Sequence, residues 1–284
     1  MAAASNPQSG RRSTARPGFH HVNGRRLFGL EIVPTGTCHG AVLYLPPHVE
    51  EMNRCRSHVV LQARALAARG WHCLLLDPHG TGESDGETDA ADWDHWRADA
   101  AAAAAWLAQQ TGHAPTLWGL RTGALLAAEL ATSAAVPVAG LLLWQPVLDG
   151  KLYLNQYLRL RIASQLVRDG EKETTDSIRA RLAAGEVVEV AGYPLTGRMA
   201  DALAARSLAG FGSVAGLRID WLEVVARPEQ PLGLPSRKLA DSWTATGARV
   251  ATTTVADPMI WQLQERDDAP ALQAASLQLM EAGR

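Results

Sequence analysis

The chain has 284 residues, 47% of them hydrophobic, and its formal net charge is −2. This length and composition allow one large domain with a sizeable buried core. The near balance of acidic and basic residues argues against a nucleic-acid-binding protein, which usually carries a clear basic excess. Three cysteines without metal-site spacing indicate reduced thiols, so we expect a cytoplasmic protein with no metal and no other cofactor.

The N-terminal region is predicted to form a flexible tail followed by a β-hairpin. Residues 1–17 are polar and contain no apolar run, which predicts a flexible tail. Short runs at 19–24 and 27–33 predict a hairpin that turns at Asn23-Gly24. Nothing along the chain approaches the roughly 18 apolar residues of a membrane span, so we expect no stable membrane insertion.

Strand and helix patterns alternate along most of the remaining chain. Continuous apolar runs predict buried strands at 40–45, 71–76, 115–118, 138–144, 219–225 and 248–255. Apolar groups at helical spacing predict helices at about 54–69, 92–109, 122–134, 235–246 and 268–281. This alternation predicts a mostly parallel, doubly wound α/β sheet with helices on both faces.

The alternation is interrupted over residues 150–215, which carry helical patterns and no buried-strand run. An inserted helical lid is the natural interpretation. The predicted organisation is therefore a core formed by residues 18–149 and 216–284, with the lid at 150–215.

The loop after the third of these strands reads Gly119-Leu120-Arg121-Thr122-Gly123 and leads directly into a helix. Its spacing and context match the nucleophile elbow, Gly-x-Ser-x-Gly, of α/β-hydrolases. The flanking glycines let strand and helix approach closely around a strained central residue. That residue is Arg121, which stays protonated at any workable pH and so can be neither nucleophile nor general base.

Two further loops fit the same fold. Residues 77–86 match the pattern D-x-x-G-x-G-x-S-x-G; Ser84 could serve as a replacement nucleophile, but a loop or capping role is favoured. Residues 45–53 occupy the place of the oxyanion loop, where the amides of His48 and Val49 are available. We take these two residues, with Leu120 and Thr122 beside Arg121, as the candidate oxyanion and ligand-binding residues.

The other triad positions follow from chain order, which in this fold runs nucleophile, acid, histidine. Glu229 is the candidate acid, and Asp257 lies where the histidine is expected, since no histidine follows residue 114. Arg121, Glu229 and Asp257 thus stand at the catalytic positions, and the usual proton relay is absent.

A lone buried guanidinium is costly, so Arg121 requires carboxylates or an anionic ligand. We expect a salt-bridged cluster of Arg121 with Glu51, Glu229 and Asp257. Glu51 has a second interpretation, because an acidic residue also suits the start of a helix. An ion cluster that leaves no room for a ligand is the remaining alternative.

Several other residues have both an ordinary and a functional interpretation. Cys55 is a conceivable thiol nucleophile but lacks a partner histidine, and Trp93 and Trp96 fit packing better than a ligand platform. Arg159 and Arg161 in the predicted lid could face either the pocket or solvent.

These motifs together resemble a known family. The segments LPPHVEEMNRCR, DPHGTGESDG, LWGLRTGALLA and LLLWQPVLDGKLYLNQYLRLR are similar to the exosortase A system-associated hydrolases, subtype hydrolase 2, over about residues 19–275. A Gly-Leu-Arg-x-Gly elbow is typical of that subtype, which implies that Arg121 is a family trait. The resemblance also implies a bacterial protein linked to exopolysaccharide synthesis and protein sorting. The segment 257–261 departs from the pattern, because an aromatic residue would be expected before the Trp.

Two functions fit the sequence. The first is a degenerate hydrolase, a pseudoenzyme that binds an anionic acyl or sugar-derived ligand, or a protein of the exopolysaccharide and sorting system. The alternative is an active esterase-type hydrolase in which a carboxylate among Glu51, Glu229 and Asp257 acts and Arg121 stabilises the oxyanion.

Overall fold

The computed structural model describes residues 13–166, 173–263, 265 and 267–283. Its centre is an eight-stranded sheet with the strand order β1-β2-β4-β3-β5-β6-β9-β10. These strands are β1 (Ser13–Val22), β2 (Arg25–Pro34), β3 (Gly40–Leu45), β4 (Trp71–Leu76), β5 (Pro115–Leu120), β6 (Gly140–Trp144), β9 (Arg218–Val224) and β10 (Arg249–Val255). The pairs β1–β2 and β2–β4 are antiparallel, and all other neighbouring pairs are parallel. The predicted α/β sheet is confirmed.

Helices cover both faces of this sheet. They are α1 (Val49–Ala68), α2 (Trp93–Thr111), α3 (Gly123–Thr132), α4 (Gly150–Leu166), α5 (Thr175–Ala183), α6 (Gly197–Ala204), α7 (Leu234–Ala245) and α8 (Pro270–Ala282). In β3, Leu43 belongs to the apolar cluster with α2 and α3, whereas Val42 and Tyr44 belong to the cluster with α1 and α8. Successive strand residues point to opposite faces, so an uninterrupted apolar run supplies both cores.

The segment between β6 and β9 contains α4, α5 and α6 as well as a short hairpin, β7 (Val188–Val190) with β8 (Tyr193–Leu195). The prediction of a purely helical insertion missed this hairpin, because strands of three residues produce no recognisable apolar run. Residues 167–172 lie outside the described part of the chain. The division into a core and a lid stays a prediction.

The sequence boundaries need correction at two places. Residues 13–17 were assigned to the tail, but they belong to β1 because they pair with the last residues of β2. Residues 1–12 of the predicted tail lie outside the described residues. Helix α1 begins at Val49 rather than near 54, which places Glu50 and Glu51 in its first turn. The hairpin turn at Asn23-Gly24 is confirmed, and both residues have positive φ.

Within the described residues, no helix combines the length and the apolar character needed to cross a bilayer.

Candidate functional site

Arg121 lies directly after β5 and two residues before the first residue of α3. Its φ is 55°, a left-handed conformation that is strained for a residue with a side chain. The Arg121 amide donates a hydrogen bond to the carbonyl of Trp144 (3.0 Å), and its own carbonyl accepts one from Val147 (3.1 Å). A Cβ atom at Gly123 would collide with the carbonyl oxygen of Leu45, so glycine is required for α3 to pass this close to β3. The strand–turn–helix geometry of an elbow is therefore present around an arginine.

The Arg121 side chain is mostly buried, with 15% of it exposed. Its Nε donates to Glu51 Oε1 at 3.2 Å. The guanidinium carbon lies 5.2 Å from the ring centre of Trp261 and 5.9 Å from that of Tyr153, within cation–π range. Neither Nη1 nor Nη2 donates to any residue in the described part of the chain. These two nitrogens are donors that remain available to a ligand.

The structure agrees with both interpretations of Glu51, as a residue that suits a helix start and as a partner of Arg121. It stands in the first turn of α1, where a negative charge favours the helix, and it is the ion-pair partner of Arg121. Burial raises the pKa of Glu51, and the positive charge of Arg121 opposes that rise. Its second oxygen, Oε2, is buried without a hydrogen-bond partner among the described residues.

A cavity of about 340 Å³ adjoins this pair. It is lined by Glu50, Glu51, Arg54, Arg121, Tyr153, Gln156, Tyr157, Leu160, Trp261 and Gln262. We call it the Arg121 cavity. Its charged groups are two glutamates and two arginines, and its other lining residues are three aromatic residues, two glutamines and a leucine. Helix α4, in the segment between β6 and β9, supplies four of the lining residues and so lies beside the residue that follows β5.

The other triad-equivalent residues do not reach Arg121. Glu229 is exposed in the loop after β9 and makes no hydrogen bond or ion pair with the described residues. Asp257 accepts a hydrogen bond from the Leu272 amide (2.6 Å) in the first turn of α8, where unpaired amides are concentrated. The predicted salt-bridged cluster contained Arg121, Glu51, Glu229 and Asp257. The prediction is wrong for Glu229 and Asp257, which form no ion pair with Arg121. Only the pair of Arg121 with Glu51 is formed.

The predicted oxyanion residues have different surroundings. The His48 amide is already used, because it donates to Thr122 Oγ1 at 2.8 Å. The amides of Val49 and Thr122 stand at the starts of α1 and α3 and have no partner among the described residues. Leu120 is fully buried at the end of β5 and does not line the cavity.

The imidazole of His48 is buried against Tyr157, with the ring centres 5.2 Å apart. Its Nδ1 has no partner among the described residues. Burial lowers the pKa of His48 to about 4, so the ring is neutral at pH 7.

The two alternative nucleophiles, Ser84 and Cys55, have structural roles that explain their positions. Ser84 Oγ donates to the Asp77 carbonyl (2.5 Å) and accepts from the Phe28 amide (2.8 Å), which ties its loop to β2. The Cys55 thiol is buried, and burial raises its pKa, which disfavours the reactive thiolate.

The tryptophans and the arginines of the predicted lid lie outside the cavity. Trp93 Nε1 donates to Glu129 (2.7 Å) and Trp96 Nε1 donates to the carbonyl of His79 (2.9 Å), so both are packing residues. Arg161 pairs with Glu173, whereas Arg159 is exposed. No group of three or more metal-ligating side chains occurs among the described residues.

Sequence reasoning missed the cavity walls, above all Tyr153, Tyr157 and Trp261. A signal was present for two of them, since Tyr153 and Tyr157 are one helical turn apart and their rings stack 6.1 Å apart on α4. No local pattern connects Trp261 to Arg121, which lies 140 residues earlier in the chain.

Comparison with known proteins agrees with this architecture. Residues 40–208 match the family model described as serine aminopeptidase, S33. No match was found among curated protein sequences. Est1E from Butyrivibrio proteoclasticus, solved with ferulic acid, superposes with a TM-score of 0.67 at 14% identity over 94% of this chain and 98% of that one.

Two other solved structures are similar in the same way. The α/β-hydrolase GrgF from Penicillium sp. sh18 has a TM-score of 0.61 at 17% identity, covering 95% of this chain and 99% of that one. The thioesterase domain from the curacin biosynthetic pathway has a TM-score of 0.57 at 14% identity, covering 94% and 99%. At these identities the likeness shows the fold alone. With the family match over more than half of its 284 residues, the chain belongs to the serine aminopeptidase S33 family of the α/β-hydrolase superfamily.

Proposed function

We propose that this chain binds, without hydrolysing, an acyl or sugar-derived ligand through an anionic group held by Arg121. The observation that carries the proposal is the free side of the guanidinium. Nη1 and Nη2 have no acceptor among the described residues, and Arg121 lines a cavity of about 340 Å³. A carboxylate or phosphate can accept two parallel N–H bonds from such a fork.

The absence of hydrolysis follows from the residues at the triad positions. Arg121 cannot attack a carbonyl carbon, Glu229 is exposed, and Asp257 is engaged at the start of α8. His48, whose ring packs on Tyr157, is buried and does not line the cavity. Among the residues that line the Arg121 cavity there is no histidine, serine, threonine or cysteine, so the cavity lacks the hydrogen-bonded nucleophile and base that acyl transfer usually employs.

The walls of the cavity support an acyl or sugar-derived ligand. Tyr153, Tyr157, Leu160 and Trp261 offer apolar and aromatic surface for a hydrocarbon chain or a sugar face. The ferulic acid bound to Est1E is a carboxylic acid with an aromatic body, which gives an example of such a ligand on this fold.

The resemblance to the exosortase A system-associated hydrolases suggests a biological setting. In that setting the ligand derives from bacterial exopolysaccharide synthesis, or the partner is a protein of the associated sorting system. The few unpaired cysteines make the cytoplasm the proposed compartment.

One observation favours an active hydrolase as the second candidate. Glu51 contacts Arg121, and burial raises its pKa, which would suit a carboxylate that acts as base or nucleophile. In that mechanism the carboxylate either attacks the acyl carbonyl carbon or takes a proton from a water that attacks it. Arg121 stabilises the resulting oxyanion, which collapses with release of the alcohol.

The proposal is tested by calorimetric titration with decanoate. We expect binding to the wild type and a loss of at least about tenfold in Arg121→Ala, because a charge-assisted hydrogen bond contributes about 1.5–3 kcal/mol. Arg121→Lys keeps the charge but not the fork, so an intermediate loss is expected. Arg159→Ala is the matched control, since Arg159 is exposed on α4 and outside the cavity.

The same proteins, together with Glu51→Gln, are incubated with 4-nitrophenyl acetate, butyrate and octanoate. We expect no turnover above buffer. Turnover that both Glu51→Gln and Arg121→Ala abolish would establish the second candidate and overturn the first.

A further inference from the structure

A second cavity, of about 390 Å³, lies beside the Arg121 cavity. It is lined by Glu50, Asn53, Arg54, His58, Tyr193, Leu263 and Glu265, and we call it the Tyr193 cavity. The two cavities share two lining residues, Glu50 and Arg54. Only this ion pair, one turn apart on α1, is common to both, so it marks their boundary.

The side chains of Glu50 and Arg54 form an ion pair at this boundary. Arg54 Nε donates to Glu50 Oε1 at 3.2 Å, and both side chains are partly exposed. Arg54 Nη1 also donates to the carbonyls of Gln262 (3.3 Å) and Leu263 (2.5 Å), which holds the last loop against α1. Arg54 is the side-chain partner of Glu50 in the described part of the chain, so a change of the Glu50 rotamer would leave the contact of Arg54 with the loop in place.

The two cavities offer different chemistry to a ligand. The Arg121 cavity combines aromatic walls with the free side of a guanidinium. The Tyr193 cavity is lined mainly by polar groups that suit hydroxyl groups, namely an amide, a phenol, a carboxylate and the shared ion pair.

The hydrogen-bonding capacity of the Tyr193 cavity is only partly used. Asn53 Nδ2 donates to Tyr193 Oη at 2.5 Å. In the described part of the chain, Asn53 Oδ1 accepts no hydrogen bond and the Tyr193 hydroxyl donates none. Asn53 is exposed and Tyr193 is half-buried, so one acceptor and one donor can exchange water for the hydroxyl groups of a ligand.

We propose that the two cavities are halves of one elongated site whose ligand is an acyl anion carrying a sugar or similar polyhydroxyl group. The anionic group and the acyl chain occupy the Arg121 cavity, and the polyhydroxyl group passes the Glu50–Arg54 pair into the Tyr193 cavity. This inference rests on the proposed binding at Arg121 and narrows its ligand to a bipartite molecule.

The test uses two probes that differ only in a sugar, 3-hydroxydecanoate and its 3-O-rhamnoside. Calorimetric titration of the full-length protein is expected to show the rhamnoside binding about tenfold more tightly, because two or three net hydrogen bonds supply a gain of that size. In Asn53→Trp the indole fills the Tyr193 cavity, and the two affinities are expected to converge. Leu61→Trp, at an exposed position on the same helix and outside both cavities, is the matched control and should keep the difference.

Circular dichroism checks that Asn53→Trp is folded, and Tyr193→Phe offers a milder second variant that should reduce the difference. Equal affinities in the wild type, or a full difference retained in both Asn53→Trp and Tyr193→Phe, would overturn the two-cavity site. If 3-hydroxydecanoate itself does not bind, the proposed function fails first, and the two failures are distinguishable.

Discussion

At the scale of single residues, Arg121 occupies a backbone position that few side chains tolerate. A positive φ in a non-glycine residue costs on the order of 1 kcal/mol and persists only where the surroundings enforce it. Here Gly123 must lie against Leu45, and the Arg121 amide is bonded to Trp144. The elbow geometry is thus set by the connection between β5 and α3. It directs the side chain at position 121 into the Arg121 cavity.

The buried His48 gives a pH-dependent contribution to stability. Its pKa is about 4 in the folded chain against 6.5 in the unfolded chain, so between these values only the unfolded chain takes up the proton. The contribution of His48 to the free energy of unfolding is fully present above pH 6.5. It is lost as the pH falls toward 4, and the loss is about 3 kcal/mol. We expect the stability difference between pH 7 and pH 4 to shrink by about that amount in His48→Phe, measured by urea unfolding.

The control for this experiment is His21→Phe, because His21 is exposed on β1. It should leave the pH dependence as in the wild type. An unchanged pH dependence in His48→Phe would show that the imidazole is not held in the buried, neutral form.

At the scale of secondary structure, one helix builds much of the site. The first two turns of α1 contribute Glu51 to the Arg121 pair, Glu50 and Arg54 to the boundary, and Asn53 to the second cavity. Residues at spacings of three and four lie on one side of a helix, so a short segment can serve both cavities. The early start of α1, at Val49, is what brings these residues into position.

Asp257 illustrates how a helix end can capture a residue that chain order assigns to catalysis. Its carboxylate accepts from the Leu272 amide in the first turn of α8. We expect Asp257→Ala to lower the free energy of unfolding by about 1 kcal/mol, the usual loss for a helix cap, without changing decanoate affinity. Urea unfolding and calorimetry measure the two effects.

Glu229→Gln is the companion variant, since Glu229 is exposed and unpaired among the described residues. Its stability should stay within about 0.5 kcal/mol of the wild type. A large loss of decanoate affinity in either variant would contradict their assignment as residues outside the site.

At the scale of the whole molecule, the Arg121 cavity is assembled from four distant parts of the chain. These are the start of α1, the elbow, α4 of the insertion and the loop after β10. A ligand in this cavity would contact all four at once and so stabilise their relative positions.

Hydrogen–deuterium exchange with saturating decanoate tests this arrangement. We expect slower exchange in the first turns of α1, in α4 and in residues 256–263, because ligand contacts suppress local opening. The β1–β2 hairpin, remote from the cavity lining, is the internal control. Saturation without any change in α4 would mean that the insertion does not cover the ligand.

The amino-acid sequence by itself determined the sheet, the elbow and the position of arginine within it. Apolar runs such as those of β3 and β4 are local signals, and the glycines around Arg121 act over a few residues, so a linear reading captures them. Only the tertiary structure decided that Glu51 pairs with Arg121 while Glu229 and Asp257 do not, and that Tyr153 and Trp261 enclose the guanidinium. Chain order predicts which loop a carboxylate lies on, but ion pairing falls off within a few ångströms, and those distances depend on how the loops and the insertion pack.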